Sequence, residues 1–311
     1  MWDAEVDLVC VGAGIGGLAT AIATVDEGGD VIVADTAPDV GSGDVSSVVT
    51  RRRVGSLRGW LQHDVLDIET DDYLAAVVEG LDPMAQRLDT AHVPTRLASA
   101  WRADNRTVEP FIGSATRAWD AKCLASPHGM LYTAISGRPT TKMRSNGELI
   151  EVLPVGDIDR SVDVSQLDLA DWMVAQTYER DIEVLSSSRL QRLVFEDGLI
   201  VGVVFDRPDG PFAVRARHGV TLSQRDYQPA LVDRLIDAAP GDRKQVCLVG
   251  RCASRFGRVE LVTITAAPAV DRAVCAMPGR QLRTRLHETS RQVPSDAWRC
   301  GKVDGYPPLR K

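Results

Sequence analysis

The chain has 311 residues, long enough for one large α/β domain, and 44% of them are hydrophobic. A formal net charge of −7 at pH 7 argues against a nucleic-acid surface as the main purpose, and Arg51-Arg52-Arg53 is too short a basic run to reverse that. No run of about 18 apolar residues marks a membrane span, and the acidic Met1-Trp2-Asp3-Ala4-Glu5 start does not read as a signal peptide, so a cytoplasmic location is the default expectation.

The first predicted elements follow at once. Leu8–Val11 is a short apolar run suited to a strand buried on both faces. Gly12-Ala13-Gly14-Ile15-Gly16-Gly17 comes directly after it. Leu18, Ala19, Ala21, Ile22 and Val25 then recur at helical spacing, and Gly28-Gly29 ends the helix. Val31–Ala34 is a second apolar strand closed by Asp35. Strand, turn, helix and strand predict a βαβ crossover over residues 1–50.

This pattern has a direct chemical use. Gly12 permits the tight turn, Gly14 lets a pyrophosphate approach the backbone, and Gly17 lets the helix pack closely on the sheet. The helix N-terminus offers free N–H groups to phosphates. Asp35 is placed to accept hydrogen bonds from ribose hydroxyls and disfavours a 2′-phosphate, with Thr36 beside it. The fold class expected is α/β, a Rossmann-like FAD/NAD(P)-binding domain with a parallel sheet plus a β-meander.

Residues 51–180 read as a mostly helical insertion, with Leu74, Val77, Val78, Leu81 and Met84 at helical spacing. Within it, Val108–Thr133 is richer in Gly, Pro and aromatics and reads as a loop able to carry a site. Residues 181–225 predict a β-meander, with Asp197-Gly198 and Asp209-Gly210 as turns. C-terminal strands follow in 226–280, at Val246–Val249 and Val259–Thr265, and 281–311 reads as a polar tail. The whole is expected to be one FAD-binding-type domain without a clear capping domain.

The six cysteines match no zinc or redox spacing, so no metal is expected; Cys247 and Cys252 could meet across a turn.

"VDLVCVGAGIGGLATAIATVDEGGDVIVADTAPDVGSG" resembles the N-terminus of FAD-dependent oxidoreductases of the fumarate reductase and 3-ketosteroid dehydrogenase type. "EDGLIVGVVF" is similar to the hairpin that sits beside the adenine in that family. The resemblance implies FAD as cofactor, held by Gly12, Ala13, Gly14, Ile15, Gly16, Gly17, Asp35 and Thr36. It implies a Gly/Ser-rich loop around the pyrophosphate at Gly41–Ser47, including Ser42, and backbone near Leu190 against the adenine. The chain departs from the family at Ser223-Gln224-Arg225-Asp226, where a double-glycine turn is expected, and after Asp226, where a cap would be inserted. These departures suggest a shortened or diverged member.

Hydride transfer between flavin and a substrate carbon, such as an alkene or ketone beside a carbonyl or a steroid-like molecule, is the activity implied. The proton-transfer candidates are His128 and Tyr132, with Arg138 and Arg144 as possible carboxylate clamps. Two alternatives stay open: a non-catalytic flavoprotein fold used for binding or assembly, and an NAD-dependent dehydrogenase. The small-molecule substrate and the oligomeric state are left open.

Overall fold

The structure is a computed structural model that describes residues 1–36, 57–61, 65–81, 92–101, 113–134, 139–159, 167–224, 232 and 241–265. The chain divides into a unit Met1–Ala269 and a second unit Val270–Lys311. The second unit, with the expected tail at 281–311, lies outside the described residues, as do Ser42 and its loop and Arg138.

Strand β1 (Ala4–Val11), helix α1 (Ile15–Asp26) and strand β2 (Val31–Ala34) form the opening unit. β1 and β2 pair in parallel, Leu8 opposite Val31 through Val11 opposite Ala34. The strand is apolar on both faces because both are covered: Val9 and Cys10 are fully buried, one in each of two hydrophobic clusters. α1 is buried from Ile15 through Ala23. Burying Leu18 and Ile22 alone contributes about 1.5–3 kcal/mol each. The helix stops where Gly28 takes φ +82°, a left-handed conformation that a side chain would strain.

The meander comprises β8 (Arg189–Glu196), β9 (Leu199–Arg207) and β10 (Gly210–Ser223). Asp197 and Gly198 both have positive φ, 51° and 76°, as a tight hairpin of this twist requires. β10 is long enough to serve two purposes. Its first half pairs antiparallel with β9, and it runs parallel to β1 from Val214 to Leu222. β7 (Val184–Leu185) extends the parallel group beyond β2.

Two expectations need correction. Among the described residues of 51–180, expected to be mostly helical, strands accompany the helices. Beside α2 (Leu57–Leu61), α3 (Ile68–Val78), α4 (Gly113–Ala125) and α5 (Leu169–Glu179) these residues contribute β3 (Thr95–Ala100), β4 (Gly129–Tyr132), β5 (Thr141–Ser145) and β6 (Glu148–Asp157). The sheet is mixed rather than parallel: β4 pairs antiparallel with β10 and with β12 (Phe256–Thr265). The physical reason is that strands as short as Thr95–Ala100 and Thr141–Ser145 carry a single buried apolar side chain each, Ala98 and Met143, so no alternation stands out. Their place is set by their pairing, β3 with β5 and the C-terminal strand Phe256–Thr265, and β5 with β3 and β6.

Those partners close a ring. β12 pairs with β11 (Arg243–Gly250), β11 with β6, β6 with β5, β5 with β3, and β3 in parallel with β12. Closure removes exposed strand edges among these elements. Ala98, Met143, Ile150, Val152, Cys247, Val249 and Val262 from the ring share one cluster with Trp119 and Leu124 of α4. Val155, Val246, Leu248, Val259 and Leu261 join the other cluster, with α1 and α5.

Side-chain caps fix two helix starts. Asp67 accepts a hydrogen bond from Thr70 N at 2.9 Å at the start of α3, and Asp168 one from Ala170 N at 2.9 Å at the start of α5. α5 is tied to the end of α1 by Arg180, which donates to both carboxylate oxygens of Asp26 at 2.7 and 3.1 Å.

Candidate functional site

The glycine turn sits between the end of β1 and the start of α1. Gly12 N donates to Ala34 O at 2.8 Å, so the turn begins directly against the end of β2. Gly12 has φ +98°, and a Cβ built on it would lie 2.5 Å from the carbonyl oxygen of Ser223. A Cβ on Gly17 would collide with Gly12 O and lie 2.7 Å from Ser223 Oγ. Only glycine fits either position.

Gly14 is the N-cap of α1, and no side chain caps the helix there. The first-turn N–H groups therefore have no intrahelical acceptor and no side-chain acceptor. They carry the positive end of the helix dipole, and no acidic residue lies in the first turn. Ala13 and Ile15 are buried, so the turn is shielded from water, which strengthens its interaction with an anion.

The other end of the nucleotide pattern also has its parts together. Asp35 N donates to Leu185 O at 2.9 Å, and Ser188 N donates to Asp35 O at 2.7 Å. The chain between β7 and β8 thus lies against the end of β2. Thr36 Oγ1 is shielded from solvent and has no hydrogen-bond partner among the described residues. A hydroxyl so placed beside Asp35 suits a ribose. Leu190 itself is buried in the core, opposite Phe205 on β9. The backbone at Asp35 is Leu185 and Ser188, which sequence reasoning did not single out; the Ser186-Ser187-Ser188 run was its only signal.

The residues after the meander approach more closely than their bulk suggests. Ser223 is buried, and its Oγ donates to Gly12 O at 2.9 Å. Gln224 Nε2 donates to Ser126 O at 3.1 Å. The serine side chain thus braces the glycine turn, the close packing for which the sequence reading expected glycine.

The proton-transfer candidates divide: the chain next to His128 packs on the start of α1, where Gly129 O lies 3.0 Å from a Cβ built on Gly16, and Tyr132 lies elsewhere. His128 is buried in the turn before β4, and its carbonyl accepts from Val259 N. Tyr132 is within β4, buried, with its hydroxyl donating to Met130 Sδ at 2.9 Å. Tyr132 lines a cavity at the opposite end of α1, not the glycine turn. Arg144 is exposed on β5.

A polar cluster that sequence reasoning missed sits at the ring. Glu260, fully buried on β12, accepts from Arg96 Nε at 2.5 Å and Nη2 at 3.0 Å, and from Arg258 Nε at 2.7 Å. Burial opposes its ionisation, but the two guanidiniums outweigh that and hold its carboxyl below the usual range. Arg96, Arg251 and Arg258 lie 6.0, 5.6 and 5.3 Å from the Trp119 ring centroid. Arg251 also pairs with Glu148. Asp120 accepts from Ser254 Oγ at 2.5 Å, and burial raises its pKa. The available signal was Glu260 inside the apolar run Val259–Thr265, since a charge there demands a partner.

Cys10, Cys123 and Cys247 are buried free thiols, and burial pushes all three well above the ordinary thiol range. Cys252 is exposed whereas Cys247 is buried, and no disulfide joins them. No cluster of metal-ligating residues occurs among the described residues. No helix among them is long and apolar enough to cross a membrane.

A parallel βαβ unit with an uncapped glycine turn and an acid ending its second strand defines a nucleotide-binding α/β protein. A family profile for the FAD binding domain matches residues 7–244. The chain belongs to that family, and FAD is its cofactor.

No curated protein matches the chain. Among solved structures it is similar to 3-ketosteroid-Δ4-(5α)-dehydrogenase from Rhodococcus jostii RHA1, with 20% identity and TM-score 0.29 over 71% of this chain and 46% of that one. It is similar to a flavocytochrome c3 fumarate reductase at 16% identity and TM-score 0.29, over 69% of this chain and 33% of that one. A geranylgeranyl bacteriochlorophyll reductase-like protein from Thermoplasma acidophilum gives 10% identity and TM-score 0.28 over 82% and 56%. The chain therefore spans less than half the length of the first two.

Proposed function

We propose that the chain is a Rossmann-like flavoprotein oxidoreductase that binds FAD at the end of β1 and the start of α1. The observation that carries the reading is the uncapped N-terminus of α1, opening on a turn where Gly12 and Gly17 have no room for a Cβ.

The residues present fit the cofactor. The N–H groups from Gly14 to Gly17 would hold the pyrophosphate, and Asp35 with Thr36 would hold the ribose. The backbone at Leu185–Ser188, already bonded to Asp35, would border the adenosine end. FAD, when bound, supplies hydride-transfer chemistry with a substrate carbon. The protein's part is to bind, orient and exclude water. Ser223 contributes by holding the turn through Gly12 O. The substrate class this reading carries is an alkene or ketone beside a carbonyl.

The test is the absorption spectrum of the purified full chain, with and without added FAD, beside an NADH titration. A retained flavin band, followed by bleaching with a reductant and reoxidation by an enone, supports the reading. Failure to bind FAD overturns it. Binding of NADH alone selects the dehydrogenase alternative, and bound FAD that no substrate reoxidises selects the non-catalytic one.

A further inference from the structure

A cavity of about 460 Å³ opens at the end of α1 opposite the glycine turn. It lies between α1, the β10–β4 part of the sheet and the outer face of the ring at β6 and β11. A helix of this length separates the two ends by roughly 18 Å. The helix dipole also reverses, so this end is partially negative and unsuited to phosphate.

The floor holds an unsatisfied group. Thr221 is fully buried, and its Oγ1 has no hydrogen-bond partner among the described residues. It faces the cavity beside Tyr132, its register partner on β4. A buried hydroxyl left unpaired is costly, and a ligand able to reach it recovers that cost.

The mouth is acidic. Asp7, Glu27 and Glu151 line it together with His218, and no Lys or Arg does among the described residues. Arg217 neutralises Asp7 from outside the cavity, at 2.7 Å. Glu27 and Glu151 form no ion pair within 4 Å among the described residues, although Lys142 stands opposite Glu151 in the β5–β6 register. The remaining wall is apolar, including Ala23, Leu153 and Leu248.

We propose that this cavity is a second binding site, for a protonated amine carrying an apolar body. The ammonium sits among Glu27, Glu151 and the C-terminal end of α1, and the body lies against Ala23, Leu153 and Leu248. A hydrogen-bonding group at the far end reaches Thr221. The site is separate from the FAD cradle, so occupancy of one does not require the other.

The test is calorimetric titration of the full chain with tyramine and hexylamine, each with and without FAD. 4-Ethylphenol and 4-hydroxyphenylacetate serve as the neutral and anionic comparators. Saturable binding of the amines, with both comparators at least about tenfold weaker, is the expected result. Thr221→Val should weaken tyramine about threefold to tenfold, leave hexylamine unchanged, and not lower the melting temperature of the unliganded protein. Glu151→Gln should weaken both amines about tenfold. The proposal is overturned if neither amine saturates, if a comparator binds as well, or if Glu151→Gln leaves amine binding intact. Should Thr221→Val fail to fold, the hydroxyl is structural, which overturns the role given to it, and Glu151→Gln alone decides the amine site.

Discussion

The glycine turn and the ring of β3, β5, β6, β11 and β12 solve opposite problems. The turn leaves the first N–H groups of α1 without a side-chain cap, which on the proposed function is where the pyrophosphate would sit. The ring meets its most deeply buried charge internally, with Glu260 receiving two guanidiniums in a setting closed to water. One region leaves backbone donors without a side-chain acceptor, and the other meets its deepest charge from within the chain. The lesson is that buried charge by itself does not mark a ligand site; what marks one is buried hydrogen-bonding capacity left unmet.

The sharpest way to break the comparison is Glu260→Ala. It strands Arg96 and Arg258 beside the apolar cluster, and it should cost about 3–5 kcal/mol in urea denaturation. FAD affinity measured on whatever folded protein remains should be unchanged if the two regions are independent.

Gly17→Ala attacks the other region. Its Cβ meets Gly12 O, a backbone atom that cannot swing away. FAD affinity, followed by flavin fluorescence quenching, should fall at least about 100-fold, equivalent to roughly 2.7 kcal/mol. Asp35→Ala should cost about tenfold in the same titration, since it deletes charge-assisted acceptors without moving the backbone.

A smaller effect is expected from Asp168→Ala, which removes the cap of α5. The loss should be about 1 kcal/mol by thermal or urea unfolding.

The smallest concerns pH. Hydrogen bonds from Arg217 and the Asp30 backbone hold the Asp7 carboxyl at about 2. A lowered folded-state pKa gives stability that is present above the ordinary carboxylate range of about 4. That stability disappears as pH falls toward 2. Asp7→Asn should therefore lower stability slightly at neutral pH, as Arg217 is solvent-exposed, and make no difference near pH 2, which flattens the acid limb of the stability profile.

How much was legible follows from the range of each interaction. Gly12, Gly14, Gly17 and Asp35 are read from a contiguous stretch, because a tight turn and a helix start are local geometry. The meander was legible for the same reason: Asp197-Gly198 dictates its own hairpin. Tyr132 and His128 were attractive as neighbours in sequence, yet strand β4 turns Tyr132 to the far cavity. A two-residue period decides a side chain's face, and only pairing with β10 and β12 establishes that period for so short a strand.

By itself, then, the sequence determined the βαβ unit, its glycine turn and the acid that ends it, since adjacent residues alone impose those shapes. Tertiary structure decided the rest. It closed β3, β5 and β6 into a ring with β11 and β12. It brought Arg96 to Glu260 and set Ser223 against Gly12. It also left Thr221 unpaired beneath α1. Each of those outcomes depends on which strand lies beside which, and a pairing between residues far apart in the chain writes no local pattern.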